Sequence, residues 1–298
     1  MPARGSAARS STAKAAFVAD VEPICRARNW ADTLTSVRTL SLAAGTILDV
    51  DPAAGIEVAF LAGFAAAGVW FDASTFTESV AWDVKKRCDA LGMIALDIEP
   101  IMLVPEGSSS SDNGEAIVNA AMIIGARNIL VASRDTDNGR VAERLRVLAD
   151  RLDGTDIRLV LEFLPILGVR TLTQAATIVA DADHPKLGVL VDNLHLSRAG
   201  HQPSDLASLD RRLFPYLQVC DAPLQPVDSG IPSLLHEALH GRLLPGEGGL
   251  PIDELLAIVP EVPISLELRS EFLRTNYSDP VERARVVRAS MDRFISSW

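Results

Sequence analysis

Residues 157–165, IRLVLEFLP, are followed by TLTQAATIVADA at 171–182 and by LGVLVDNL at 187–194. The first and third segments are short runs of aliphatic residues, and the middle one repeats its apolar positions at helical spacing. Strand, helix and strand of this kind, with strands almost continuously hydrophobic, read as a parallel βαβ unit buried on both faces. Each strand also carries one acid near its downstream end, Glu162 in LVLEFLP and Asp192 in LGVLVDNL. A carboxylate in such surroundings has a large desolvation cost unless something positive compensates it.

Working outward, the same alternation covers the chain. Upstream, LSLAA near 41–44, GVWF near 68–71, MIALDIEPIMLV near 93–104 and NILVASR near 128–134 read as strands. Helical patterns separate them: about Pro52 to Ala67, SVAWDVKKRCDALG, about Glu115 to Ala126, and GRVAERLRVLADRLD. Downstream, SDLASLDRRL reads as a short helix, PYLQVCDA and VPISLELR as strands seven and eight, and Pro280 to Ser297 as a closing amphipathic helix. Eight strands, each followed by a helix, imply an α/β protein built as a single (β/α)8 TIM barrel. The expected boundaries are a flexible tail and N-terminal helical extension over 1–36 and the barrel over 37–298. The alternative, an open doubly wound sheet, has no need of eight repeats. The Pro/Gly-containing excursion 223–251 reads as an active-site loop over a rigid scaffold.

Composition narrows the function classes. Hydrophobic residues make up 48% of the 298 and aromatics 5%, which predicts an aliphatic core. A formal charge of −11 argues against general affinity for a phosphate backbone, so no nucleic-acid partner is expected. Cys25, Cys88 and Cys220 are far apart and form no CxxC, which fits a reducing, cytoplasmic compartment. No run reaches the roughly 18 apolar residues of a membrane span. The start, MPARGSAARSSTAKAAF, lacks the apolar centre of a secretory signal and reads as a solvated tail rather than a transit peptide. Neither GxGxxG nor GxxxxGK[ST] occurs, so dinucleotide and P-loop readings have no support. A small-molecule substrate is expected; a homo-oligomer is compatible with the sequence but not readable from it.

In a TIM barrel the active site lies at the C-terminal mouth, assembled from the ends of several strands. Two further polar residues interrupt apolar runs there: Gln218 in YLQVCDAP and Glu267 in PISLELRS. Glu162, Asp192, Gln218 and Glu267 are separated by 30, 26 and 49 residues. The first two spacings match single βα units, and the third is one unit enlarged by the 223–251 excursion. Four neighbouring strands would present one oxygen donor each at one level, which predicts a site for one divalent metal ion. Carboxylate and amide oxygens suit Mn²⁺ or Mg²⁺, with Zn²⁺ and Co²⁺ as alternatives that lack ligating histidines or thiolates to select them.

Weaker candidates surround this set. Glu99, in ALDIEP at the end of strand three, is placed to reach the pocket, and Asp72 ends strand two similarly. Arg242 and Glu247 flank LLPGEGG, a turn-rich segment able to close over a substrate, and Asp221 is placed to support a ligand. His195 lies three residues beyond Asp192 and is placed to contact a substrate hydroxyl. His184, His201, His236 and His240 show no ligand spacing.

Beyond these features, the chain from about Arg38 resembles the xylose-isomerase-like barrels of the sugar phosphate isomerase and epimerase superfamily. The resemblance is carried by SLAAGTI, LEFLP, VLVDNLHLSRAG, LQVCDAP, RLLPGEGGLP and SLELRS. It implies that Glu162, Asp192, Gln218 and Glu267 bind one divalent metal and that His195 contacts substrate. Gln rather than His at 218 resembles the branches with hydroxypyruvate isomerase and 3-dehydroshikimate dehydratase. Two departures stand out: some sugar epimerases carry an arginine where this chain has Leu224 and a second glutamate where it has Gly168.

The expected chemistry is removal of a proton next to a carbonyl, with a chelated metal stabilising the enediolate. Glu162 and Glu267 are the matched acid/base pair for an isomerase or epimerase of a small hydroxy-carbonyl substrate. A metal-dependent dehydratase of the 3-dehydroshikimate or inosose type, which expels a β-hydroxyl after the same abstraction, is the alternative. An abasic-site endonuclease of the superfamily implies extra metal-binding histidines that this chain lacks, and a non-catalytic binding barrel is the remaining class.

Overall fold

Short aliphatic runs alternating with helices build, in the computed structural model, one closed parallel barrel in strict chain order, β1 to β8. The structure describes residues 38–108 and 113–296; the tail and helical extension expected over 1–36 lie outside the described residues. The strands are β1 Leu40–Leu42, β2 Ala66–Trp70, β3 Ile94–Leu103, β4 Asn128–Ser133, β5 Arg158–Glu162, β6 Leu187–Asp192, β7 Leu217–Val219 and β8 Ile264–Leu266. β8 pairs back onto β1, so no edge is left open. Outside them run α1 Pro52–Leu61, α2 Glu78–Leu91, α3 Gly114–Ile124, α4 Asn138–Asp150, α5 Leu172–Ala182, α6 Asn193–Arg198, α7 Ile231–His240, α8 Ile252–Ile258, α9 Glu271–Asn276 and α10 Pro280–Ser296.

Local chemistry fixes where these elements start. Asp51, Thr77, Asp137 and Thr171 each accept a backbone N–H from the first turn of the helix that follows. Ala66, Leu96, Leu130, Val160, Leu190 and Tyr216 form a fully buried cluster drawn from five consecutive strands and the residue before β7. At roughly 25 cal/mol per Å² of apolar surface removed from water, such side chains supply the cohesion that holds the mouth residues in register.

Departures from the sequence reading have identifiable causes. The first helix ends at Leu61 rather than near Ala67, because Gly63 turns the chain at φ 90° and β2 already begins at Ala66. LGVLVDNL stops being a strand at Asp192, whose side chain caps α6. SDLASLDRRL forms two 3-10 turns, Pro203–Ser208 and Arg211–Leu213, the second restarted by the Asp210 cap. The 223–251 excursion is partly ordered as α7, and α9 forms where Ser270 caps a turn directly after β8.

Candidate metal and substrate site

Glu162 ends β5, Asp192 ends β6, Gln218 is the middle residue of β7, and Glu267 follows β8 directly. The register explains how they meet. Glu162 pairs with Leu190, two residues short of Asp192; Asp192 pairs with Gln218; and Gln218 pairs with Ser265, two short of Glu267. A stagger of about eight residues over eight strands means an advance of about one residue per strand. Inward-facing residues alternate, so the advance comes as two or none. Steps of two, none and two therefore keep these four side chains at one height in the barrel.

Each is held by its surroundings. Asp192 Oδ1 accepts from the backbone N–H groups of Leu194 and His195 at 2.8 and 3.2 Å. Its Oδ2 accepts from Arg242 Nη1 at 2.6 Å. Asn193 ties the end of β6 to the end of β7 through Cys220, donating to its carbonyl at 2.7 Å and accepting from its N–H at 3.0 Å. Thr46 does the same between the turn after β1 and the strand bearing Glu267: its hydroxyl donates to the Leu266 carbonyl and accepts from Leu268 N–H, both at 2.9 Å. Gly45 leaves room for the acid, since a Cβ there would stand 2.5 Å from Glu267 Oε1.

Arg242, 2% exposed, lies among the expected ligands rather than on a mobile flap. Its Nη2 is 3.2 Å from Glu267 Oε2, and its Nε donates to the Ala238 carbonyl at 3.0 Å. Among the described residues Glu162 has no such partner, and its nearest basic atom is His195 Nε2 at 3.9 Å. The two glutamates expected to work as a matched pair are thus electrostatically unequal. Ligand atoms of Glu162, Asp192 and His195 all lie within 4.8 Å of one another. Gln218 Nε2 donates to Glu99 Oε2 at 3.4 Å, and its buried Oε1 finds no hydrogen-bond partner among the described residues.

The titration behaviour follows from this geometry. Burial, reinforced by Asp192 and Glu267, pushes the Glu162 carboxyl well above the usual range. Burial also raises Glu267, against the opposing pull of Arg242. For Asp192 burial acts upward too, but Arg242 and His195 outweigh it and hold the group low. His195 is pushed down to about 4 by burial, so its imidazole is neutral at physiological pH. Glu99 is raised well above the ordinary value by burial and by Asp97, Glu267 and Glu162.

These residues fit a divalent cation. Three buried carboxyl groups face one tightly paired guanidinium, so with all three ionised two negative charges would meet a cation, and among the described residues Gln218 Oε1 is a buried acceptor without a donor. Oxygen donors dominate, with one neutral imidazole beside them.

A cavity of about 160 Å³ opens onto the cluster. Glu99, Glu162, His195, Gln218, Arg242 and Glu267 line it, against apolar walls that include Leu164, Leu167 and Leu239. A larger cleft of about 270 Å³, between the segments 193–203 and 224–226, contains none of these acids.

The weaker candidates divide. Asp221 anchors the 242–251 segment, accepting from Gly246 and Leu250 N–H at 2.9 and 3.1 Å, and does not reach the ligand set. Asp72 caps an exposed turn through Ser74, and Glu247 is exposed. Gly168 cannot carry an acid: a Cβ there would meet the Asp135 carbonyl oxygen at 2.3 Å.

Two participants escaped the sequence reading. Asp97, fully buried beside Tyr216 and pushed up to about 7 by burial and Glu267, interrupts ALDIEP as plainly as Glu99 does. Arg269, two residues past Glu267, lines the cavity with its guanidinium 5.7 Å from the centre of the Trp70 ring. Asp97 met the criterion of an acid in an apolar strand, whereas Arg269 at a strand exit carried no signal apart from its spacing.

Comparison with known proteins agrees with the fold. A family model described as the xylose isomerase-like TIM barrel matches residues 55–295. The 3-dehydroshikimate dehydratase of Pseudomonas aeruginosa is 27% identical over 255 residues, covering 80% of this chain and 38% of that protein. The chain thus spans well under half the length of this relative. Among solved structures, the IOLI protein with a binding zinc atom superposes with a TM-score of 0.71 at 16% identity, covering 87% of this chain and 99% of that one. D-psicose 3-epimerase in the presence of D-fructose gives a TM-score of 0.64 at 14% identity, covering 84% and 97%. At such identities these two likenesses establish the fold alone. Among the described residues no helix is long and apolar enough to cross a membrane.

Proposed function

The chain belongs to the xylose isomerase-like TIM barrel family, and from that premise we propose that it is a divalent-metal-dependent dehydratase of a small polyhydroxylated ketone. The inequality of Glu162 and Glu267 carries the choice. An epimerase needs a proton acceptor on each face of the reacting carbon, with comparable proton affinities. Here Glu267 is paired to Arg242 at 3.2 Å, while the opposite wall holds Glu162 and a neutral imidazole 3.9 Å apart. Proton handling on one side suits an elimination, in which one group takes a proton from carbon and passes it to the departing hydroxyl. The likeness to a 3-dehydroshikimate dehydratase supports the same reading.

Glu162, Asp192, Gln218 and Glu267 are the proposed metal ligands, and their oxygens favour Mn²⁺ or Mg²⁺. A bound ion would polarise the substrate carbonyl and stabilise the negative charge that develops on it. His195 Nε2 accepts the proton from the carbon next to the carbonyl, and the Glu162 carboxylate steadies the imidazolium that results. That proton then goes to the neighbouring hydroxyl, which leaves as water. Leu164, Leu167 and Leu239 give the cavity apolar walls. Isomerisation or epimerisation is the second reading, since Glu162 and Glu267 both line the cavity.

The test incubates Mn²⁺-loaded protein with 3-dehydroshikimate and, separately, with keto-sugars in D₂O. Loss of water with a new aromatic absorbance, abolished in His195→Asn and with metal retained, is the expected result. Deuterium incorporation into a keto-sugar at unchanged carbon skeleton, without elimination, would replace the dehydratase by the isomerase. Full activity of chelated Glu162→Gln protein would refute the metal site.

A further inference from the structure

We propose that Arg269, held over the Trp70 ring, binds a carboxylate of the substrate, which makes the substrate a hydroxylated keto acid rather than a neutral sugar; the inference rests on the metal-site reading above. Two guanidiniums line the cavity, and only one is committed. Arg242 is buried between Asp192 and Glu267. The Arg269 side chain is half-buried and makes no hydrogen bond or ion pair among the described residues. Its guanidinium stands over the Trp70 ring, whose face attracts a cation without occupying the N–H edges, and Glu99, Glu162 and Glu267 feel its charge without pairing to it. Those edges form a fork that matches a carboxylate in two parallel hydrogen bonds.

Placement makes the assignment specific. Arg269 follows β8 and Trp70 ends β2, whereas Glu162 and His195 stand on β5 and just beyond β6. In a closed eight-stranded barrel these are opposite walls of one mouth. A molecule small enough for about 160 Å³ would present its reacting carbon to His195 and its far end to Arg269.

The test compares two ligands that share a chelating diol and differ by one carboxylate, 3,4-dihydroxybenzoate and catechol. Calorimetric titration into Mn²⁺-loaded full-length protein should show the acid binding about tenfold to a hundredfold more tightly than catechol. Arg269→Met should bring that ratio to within about twofold while leaving catechol affinity unchanged, and Arg269→Lys should keep part of it. Unchanged catechol affinity also reports that the variant is folded. An unaltered ratio in Arg269→Met would overturn the proposal, as would equal loss for both ligands, which would make Arg269 a general counter-charge to the acids. Metal-dependent binding of catechol with no preference for the acid in the wild type would also overturn it, with the metal site left standing. Failure of both ligands to sense the metal would instead sink the metal-site reading.

Discussion

Arg242→Met is the most informative perturbation of this site. The guanidinium is buried, 2.6 Å from Asp192 and 3.2 Å from Glu267, and it is the main positive charge those acids meet. Removing one partner of a buried ion pair costs about 3–5 kcal/mol. A second route gives a similar figure. The orphaned Asp192 can escape by taking up a proton, and protonating a carboxylate of ordinary pKa at pH 7 costs about 4 kcal/mol. For a chain of this size, at about 2–4 °C per kcal/mol, chelated protein should lose about 8–15 °C in Tm. At pH 5 the protonation route costs only about 1.5 kcal/mol, so the loss should shrink to about 3–6 °C. Scanning calorimetry in EDTA at both pH values measures this, and added Mn²⁺ should recover much of the loss by supplying a replacement cation. A drop under about 2 °C at pH 7 would refute the view that Arg242 compensates the acids. An equal drop at both pH values would show that it acts through packing alone.

Three further outcomes follow from the geometry. Glu162 and Glu99 are raised well above the usual range and Asp97 to about 7, so the chelated folded state holds protons that the unfolded chain releases. That stability is present in acid and lost as pH rises through the folded values, whereas His195, low at about 4, costs stability as pH falls below about 6.5. Chelated protein should therefore show Tm falling from pH 6.5 to 8.5, and Mn²⁺ should flatten the slope; a Tm that climbs across this range in EDTA would contradict the assignment. Gly168→Ala should lower Tm by several degrees, because its Cβ would meet the Asp135 backbone at 2.3 Å, and thermal denaturation at wild-type Tm would rule out the close approach. Gly45→Ala should weaken Mn²⁺ binding, measured by titration, more than it weakens the fold, since it displaces the Glu267 side chain; unchanged metal affinity would remove Glu267 from the ligand set.

The barrel was legible in the sequence because parallel strands buried on both faces leave uninterrupted aliphatic runs, as in LGVLVDNL, with amphipathic helices between them. Strand lengths were less legible. β7 and β8 hydrogen-bond over only three residues each, although their apolar runs are longer, because inward packing continues where the ladder has already ended. The acids at the mouth announced themselves by their desolvation cost. Arg269 did not, since an arginine at a strand exit is ordinarily solvated; Arg242 stood out beside LLPGEGG as a substrate contact, and only the folded register brings it between Asp192 and Glu267.

That register also explains why an amide suits position 218. Gln218 faces Glu99 with its Nε2 and leaves Oε1 without a partner among the described residues. A carboxylate there would set a further acid beside a Glu99 already driven toward its neutral form by burial and by Asp97, Glu267 and Glu162. One guanidinium could not offset that, and the surplus would raise Glu162 further, making it hold its proton when a cation arrives. An imidazole would offer a donor atom but not the second contact to Glu99. The amide supplies a neutral oxygen toward the cavity and a donor toward Glu99 in one planar group, so the count of charges around Arg242 stays at the two that a divalent ion can neutralise.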